Sequence, residues 1–124
     1  MNPVMKKVLV ADDKATGREL VRTVLERSGM EVFEAEDGRK AIEQAQLIFP
    51  DLIILDIHMP DLDGFEVVQA LRKDARFALT PIIALTASAM MGDKEKAMRL
   101  GFTGYITKPI QLSALRQEVQ RLLV

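Results

Sequence analysis

The sequence predicts an α/β domain built on a mostly parallel β-sheet. Short apolar runs alternate with longer amphipathic segments along the chain, which is typical of strands joined by crossover helices. One run, Asp51 to Ile57, is almost continuously apolar, as expected of a strand that is covered on both faces. The chain has 124 residues, 48% hydrophobic and 28% charged, and so fits a single soluble domain over residues 1–124.

The first strand and helix are predicted from apolar spacing. Lys7–Ala11 is rich in β-formers and ends at two carboxylates. Ala15–Arg27 is predicted to be helical, and Gly29 to mark its end. Gly17 lies early in this helix, where glycine costs about 1 kcal/mol relative to alanine. Four apolar residues at helical spacing are expected to face the core: Leu20, Val21, Val24 and Leu25.

The middle of the chain continues the alternation. Glu31–Ala35 is expected to be the second strand. Asp37-Gly38 predicts a turn and a helix cap, with Ala41, Ile42 and Ala45 facing inward and the helix ending before Pro50. The segment from Met59 to Gly64, which follows the third strand, is predicted to be a loop because it combines proline, glycine and aspartate.

The second half supplies the remaining elements. A helix is expected over Phe65–Lys73, and a fourth strand, Ile82–Thr86, follows a Thr-Pro pair. The fourth helix runs from about Asp93 to Leu100, before a glycine. The fifth strand is Gly104–Thr107 and the fifth helix Leu112–Leu123. The prediction is therefore five strands alternating with five helices.

Charge and composition exclude several classes of function. The net charge is −1 and there is no basic run, so no direct binding to nucleic acid is expected. The absence of cysteine excludes disulfides, thiolate metal sites and a cysteine nucleophile. No secretion signal or membrane-spanning stretch is recognised, so a cytoplasmic protein without a membrane partner is expected.

Four of the five strands have a polar residue at or just after their carboxyl end. These residues are Asp12 and Asp13, then Asp56, Thr86 and Lys108. In open parallel sheets the ligand site lies beyond the carboxyl ends of the strands. Clustered carboxylates need a cation between them, and their hard oxygens suit Mg²⁺, with Mn²⁺ as an alternative. A carboxylate can also act as a nucleophile towards phosphorus, while a lysine and a hydroxyl hold the phosphoryl oxygens.

Each of these residues taken alone has a simpler interpretation. Asp12 and Asp13 could cap the first helix. Thr86 could be an ordinary strand residue and Lys108 an ordinary surface charge. Asp56 is harder to explain structurally, because an ionisable group at the end of an apolar strand is costly unless it is paired. The presence of carboxylates, a hydroxyl and an ammonium together at the carboxyl ends of the strands favours a phosphoryl-transfer site.

Four motifs resemble, in order and spacing, those of response-regulator receiver domains in two-component and phosphorelay signalling. They are ADD at residues 11–13, LDIHMPDLDG at 55–64, ALTA at 84–87 and GYITKP at 104–109. The closest similarity is to receivers that stand alone or belong to hybrid histidine kinases. The resemblance implies a flavodoxin-like three-layer α/β/α sandwich, with a five-stranded parallel sheet in the order 2-1-3-4-5 and five helices.

The resemblance also implies roles for individual residues. Asp56 matches the phosphoacceptor, Asp13 a direct Mg²⁺ ligand and Asp12 a neighbour that acts through water, and the backbone carbonyl of His58 would be a further ligand. Thr86 and Lys108 match the residues that contact the phosphoryl group, and the Lys108-Pro109 bond is expected to be cis. Tyr105 matches the aromatic residue that turns inward when Thr86 moves.

The resemblance further implies partners and a moving surface. The phosphodonor would be a histidine kinase or a histidine phosphotransfer protein, and the chain would be a switch rather than a turnover enzyme. The face that changes for an unknown target protein would lie on the fourth helix, fifth strand and fifth helix, with Met90, Met91, Lys94, Tyr105 and residues near Gln111. Arg18 and Arg22 are candidates for contact with the phosphodonor. The side chains of His58 and Ser88 are candidates for setting the phosphoryl lifetime.

Three other functions are compatible with parts of the pattern. A nucleotide-binding domain shares the topology, but no glycine-rich phosphate loop follows the first strand. Phosphatases with an aspartyl nucleophile usually carry it on the first strand, whereas Asp56 lies on the third. A receiver-like interaction module without chemistry remains possible, although every required side chain is present. Modification of Asp56 by a small phosphodonor would distinguish these functions.

Overall fold

The computed structural model describes residues 5–87 and 92–123. The strands are β1 (Lys7–Ala11), β2 (Glu31–Ala35), β3 (Leu52–Asp56), β4 (Ile82–Thr86) and β5 (Gly104–Thr107). The helices are α1 (Ala15–Arg27), α2 (Gly38–Ile48), α3 (Gly64–Arg72), α4 (Asp93–Leu100) and α5 (Leu112–Leu123). All strand pairs are parallel and the order is β2-β1-β3-β4-β5, which confirms the predicted fold.

The sheet is covered by a hydrophobic cluster on each face. Because alternate side chains of a strand point to opposite faces, Leu9 and Ile53 belong to one cluster while Val8 and Ile54 belong to the other. The first cluster contains buried residues of α2, α3 and α4, and the second contains those of α1 and α5. The result is a three-layer sandwich with the sheet in the middle. Within the described ranges, no helix is both long enough and apolar enough to cross a membrane.

The structure differs locally from the sequence prediction. Leu20 is 41% exposed, so its expected place in the core is wrong, whereas the other three predicted residues of α1, Val21, Val24 and Leu25, are buried. Helix α3 begins one residue earlier than predicted, because Asp63 caps it and forms a reciprocal capping box with Glu66. A short 3₁₀ turn at residues 75–77, which sequence spacing did not indicate, follows α3.

Arg72 connects the end of α3 to two loops. Its guanidinium donates hydrogen bonds to the backbone carbonyls of Phe77 and Thr80 at 2.6 and 2.7 Å, and to that of Gly101 at 2.7 and 3.0 Å. Gly101 has φ of +120°, and a Cβ there would lie 2.8 Å from Cγ of Arg72. The guanidinium of Arg72 is therefore hydrogen bonded to both the loop before β4 and the loop before β5.

Candidate functional site at the carboxyl edge of the sheet

Three carboxylates meet where β1 and β3 end. The two strands are neighbours, with Ala11 opposite Leu55, so the residues next to this pair, Asp12 and Asp56, come together. One oxygen from each of Asp12, Asp13 and Asp56 lies within 4.8 Å of the others. Asp12 and Asp56 are buried and Asp13 is exposed. The structure thus brings together the predicted metal-ligating side chains in a cluster with one open side.

Lys108 joins two of these carboxylates. Its Nζ donates hydrogen bonds of 2.9 Å to Oδ2 of Asp12 and 2.9 Å to Oδ2 of Asp56. The backbone N–H of Lys108 donates to the Thr86 carbonyl at 2.7 Å, which fixes the start of this loop against the end of β4. The Lys108-Pro109 peptide bond is cis, as predicted.

The two buried carboxylates differ in their pKa directions. Burial raises the pKa of Asp12, but the Lys14 N–H and the Lys108 ammonium outweigh it, so the pKa lies below its ordinary value. Burial raises the pKa of Asp56 more than Lys108 and the His58 N–H lower it, and the negative charge of Asp12 adds to the rise. The pKa of Lys108 is raised, because its two carboxylate partners outweigh its burial. The ammonium of Lys108 is thus shared by two buried carboxylates whose pKa values shift in opposite directions.

Backbone N–H groups occupy the other oxygens of the buried pair. The N–H of Lys14 donates to Oδ1 of Asp12 at 3.0 Å, and the N–H of His58 donates to Oδ1 of Asp56 at 2.9 Å. The side chain of His58 is exposed. His58 therefore contacts Asp56 through its main chain.

Two glycines allow close packing around the carboxylates, and sequence reasoning did not connect either with the site. A Cβ at Gly17 would lie 2.6 Å from Oδ2 of Asp12. A Cβ at Gly64 would lie 2.7 Å from the backbone oxygen of Asp56 and 2.8 Å from Cα of Ile57. The sequence carries a signal for each glycine: Gly17 is unfavourable in a helix, and Gly64 ends the motif at residues 55–64. The nearby carboxylate explains Gly17.

Arg18 is oriented towards the site rather than towards solvent. Its side chain is 16% exposed, and it donates to the backbone carbonyl of Asp12 at 2.7 Å and to Oε1 of Glu34 at 3.1 Å. Arg22 is 45% exposed and pairs with Glu34 and Glu26. Arg18 therefore has partners within the domain, and contact of either arginine with the phosphodonor remains a prediction.

The predicted switch pair is in direct contact. Thr86 is buried at the end of β4, and its side chain is hydrogen bonded to that of Tyr105, which is partly buried on β5. Burial and the charge of Asp93 raise the pKa of Tyr105 above its ordinary value, and the bond with Thr86 limits the rise. Ser88, Met90 and Met91 lie outside the described residues, so the structure does not place them.

The family follows from a comparison with known protein families. The model of the response regulator receiver domain matches residues 8–120, which is most of the chain. This chain is a response regulator receiver domain. The family identified from the four motifs is thus confirmed, and so is a general function in phosphorylation-dependent two-component signalling.

Individual relatives agree with this assignment. The chain is 40% identical over 118 residues to the probable transcriptional regulator ycf27 of Cyanophora paradoxa, covering 95% of this receiver and 48% of that protein. It is 35% identical over 118 residues to the polar-differentiation response regulator DivK of Brucella ovis, covering 95% of this receiver and 96% of DivK. The chemotaxis protein CheY4 of Vibrio cholerae superposes with a TM-score of 0.92 at 38% identity, over 97% of this chain and 100% of CheY4. The receiver thus spans about half of one relative and nearly all of the others.

Proposed function

We propose that this receiver accepts a phosphoryl group on Asp56 from a histidine kinase or histidine phosphotransfer protein, in a reaction that depends on Mg²⁺. The observation that carries the proposal is the cluster of Asp12, Asp13 and Asp56 with Lys108 bonded to two of them. We further propose that residues 1–124 form one receiver domain, since a single sheet with two hydrophobic clusters accounts for the described residues.

The donor set fits a divalent cation. Three carboxylates and one ammonium carry a net charge of −2 when ionised, and all the candidate ligand atoms are hard oxygens. Asp13 is exposed, which leaves the cluster open on the side from which an ion would enter. Asp12, Asp13, Asp56 and the backbone carbonyl of His58 are the proposed ligands, and Mn²⁺ would serve in place of Mg²⁺. The bound ion would offset carboxylate charge and attract the phosphoryl oxygens.

The residues of the chain have separate tasks in the transfer. An oxygen of Asp56 forms the new bond to phosphorus, while the bond from phosphorus to the donor breaks and the donor keeps the electron pair. In the present arrangement Lys108 holds Oδ2 of Asp56. During transfer its ammonium is proposed to move to a phosphoryl oxygen, and the hydroxyl of Thr86 to a second one. Asp56 returns to a free carboxylate after hydrolysis, so the chain is a phosphoacceptor rather than a turnover enzyme.

The contact between Thr86 and Tyr105 supports a local route from the phosphoryl group to the surface. If Thr86 moves towards Asp56, its hydrogen bond with Tyr105 must break or follow the movement. Tyr105 lies on β5, between α4 and α5, so its reorientation would alter that face. We propose that this face, which includes Lys94 and Gln111, controls an unidentified partner protein. We expect no direct binding to nucleic acid or membrane, and the cytoplasmic location is likewise a prediction.

The proposal is tested by the intact mass of the protein after incubation with MgCl₂ and acetyl phosphate. The parent chain should gain one phosphate, and Asp56→Asn should gain none. Asp61→Asn is the matched control, because Asp61 lies in the adjacent loop, is exposed and has φ of +66°, which asparagine tolerates. It should gain one phosphate. If the parent gains none from acetyl phosphate or from a histidine-phosphorylated donor, the proposed function is wrong.

The phosphoryl lifetime is a separate part of the proposal. The imidazole of His58 is exposed beside the acceptor, and Ser88 follows β4 closely in the sequence. We expect His58→Ala and Ser88→Ala to change the rate of dephosphorylation, since both side chains would affect access of water, while phosphorylation still occurs. The decay of phosphoprotein after removal of the donor measures this rate. Unchanged decay in both variants would contradict the assignment.

A further inference from the structure

The backbone of Asp12 is held from both sides. Its N–H donates to the Ala35 carbonyl at 3.2 Å, and its carbonyl accepts a hydrogen bond of 2.7 Å from Nη1 of Arg18. Its carboxylate accepts from the N–H of Lys14 at 3.0 Å and from the ammonium of Lys108 at 2.9 Å. Two of these partners act through their side chains: Lys108 has a role in the proposed phosphoryl transfer, whereas Arg18 has none.

The carbonyl of Asp12 lies just beyond the end of the sheet ladder. The register of β1 with both neighbouring strands ends at Ala11, so Arg18 takes the place of the strand partner that the Asp12 carbonyl lacks. This carbonyl belongs to the peptide unit that connects Asp12 to Asp13. Because that unit is planar, a rotation that released the carbonyl would turn both residues relative to each other. The Arg18 contact thus constrains the relative direction of two candidate metal ligands.

Arg18 is itself anchored on the edge strand. Its Nε donates to Oε1 of Glu34 at 3.1 Å, and Glu34 precedes the residue on β2 that accepts the Asp12 N–H. The other carboxylate oxygen of Glu34 accepts from Arg22 at 2.7 Å. Arg18 is 16% exposed and Arg22 is 45% exposed. The two arginines share one carboxylate, yet Arg18 alone of the two reaches the backbone of Asp12.

We propose that Arg18 is a positioning residue for the metal site: it holds the peptide between Asp12 and Asp13 so that both carboxylates face the same ion. This inference rests on the proposed function, since a divalent cation is the ligand that these carboxylates serve. Glu34 orients the guanidinium from the far side. Arg22 supports the same ion pair from the surface and has no role at the metal site.

Two measurements on the folded chain test this role, with Arg18→Met compared to Arg22→Met. The first is amide hydrogen exchange by NMR without metal: Arg18→Met should speed the exchange of the Asp12 and Lys14 amides by about 10-fold and leave the interior of β1 unchanged. The second is the Mn²⁺ dissociation constant by calorimetry: Arg18→Met should raise it by about 10-fold, the usual effect of losing a residue that orients a ligand. Arg22→Met should change neither quantity by more than about 2-fold.

The outcomes separate this inference from the proposed function. If the parent chain binds no Mn²⁺, the metal-dependent function is wrong, and the exchange comparison still tests the Arg18 contact. If Arg18→Met and Arg22→Met affect exchange and Mn²⁺ affinity equally, Arg18 has only a general structural role and the inference is overturned. Arg18→Lys compared with Arg22→Lys gives the same test should Arg18→Met fail to fold. Arg18→Lys should have an intermediate effect, because a single ammonium lacks the planar fork with which the guanidinium reaches both acceptors.

Discussion

Removal of the Lys108 ammonium tests the electrostatics of the site most directly. Its side chain is 20% exposed, and its carboxylate partners on Asp12 and Asp56 are 1% and 6% exposed. In Lys108→Met the aliphatic stem remains, but two buried carboxylates lose their shared cation. Breaking a fully buried ion pair costs about 3–5 kcal/mol. Since Lys108 is partly exposed and water can enter, we expect a loss of about 2–3 kcal/mol in unfolding free energy without metal.

This loss corresponds to a measurable change in melting temperature. The unfolding entropy of a chain of 124 residues is about 0.26 kcal/mol per kelvin, so each kcal/mol lowers Tm by about 4 °C. Lys108→Met should therefore melt about 8–12 °C below the parent in EDTA. In saturating MgCl₂ the difference should narrow, because a bound cation supplies the missing positive charge and stabilises the native state by mass action.

The assay is thermal unfolding by circular dichroism in EDTA and in MgCl₂. Lys14→Met is the matched control, because Lys14 is exposed beside the same carboxylates and contacts Asp12 through a backbone N–H that methionine retains. It should change Tm by less than about 2 °C. The reasoning fails if Lys108→Met in EDTA is as stable as this control, or if Mg²⁺ does not reduce the difference from the parent.

Three other substitutions have defined outcomes. Helix propensity alone predicts that Gly17→Ala stabilises α1 by about 1 kcal/mol, but the new Cβ would lie 2.6 Å from Oδ2 of Asp12. We therefore expect no increase in the unfolding free energy measured in urea, and weaker Mn²⁺ binding. An increase of the full amount, about 1 kcal/mol, with unchanged Mn²⁺ binding would disprove the clash. Arg72→Leu leaves three backbone carbonyls without their cation, so urea unfolding should show a loss of about 2–4 kcal/mol, with Arg72→Lys in between. Hydrogen bonding to Arg22 lowers the pKa of Glu34 below 4.5, so its contribution is present above pH 4.5 and is lost as pH falls through the folded pKa. Glu34→Gln should therefore lose less stability than the parent on acidification below pH 4.5, and parallel pH profiles would refute this.

Much of the fold could be read from local patterns. The strands at residues 7–11, 31–35, 82–86 and 104–107 match their predicted bounds, because apolar β-rich runs are bounded by turn residues or carboxylates. The third strand is shorter than predicted, and its last paired residue is Asp56. Leu20 shows the limit of helical spacing: it fits the apolar stripe of α1, but the neighbouring elements do not cover it. Periodicity predicts which side chains lie on the same face of a helix, whereas the elements packed against that face determine how many of those side chains are buried.

The types of residue at the site were also visible in the sequence. Strand ends alternate with helices at regular intervals, and parallel strands place their carboxyl ends at one edge. Asp12, Asp13, Asp56, Thr86 and Lys108 could therefore be assigned to a common region before any distances were available. Their catalytic, metal-binding and switching roles remain predictions for the experiments above.

The tertiary structure alone decided how these groups are connected. Lys108 bonds to carboxylates that are 96 and 52 positions away in the chain, and Arg18 turns inward to a backbone carbonyl and a glutamate of the edge strand. Gly17 is an unfavourable helix residue by propensity alone, and the structure shows that its missing side chain leaves room for the carboxylate of Asp12. Such contacts depend on strand order and on the direction of individual side chains. Local sequence determines which elements form and what chemistry they carry, whereas the distances between distant side chains arise only when all layers pack around one sheet.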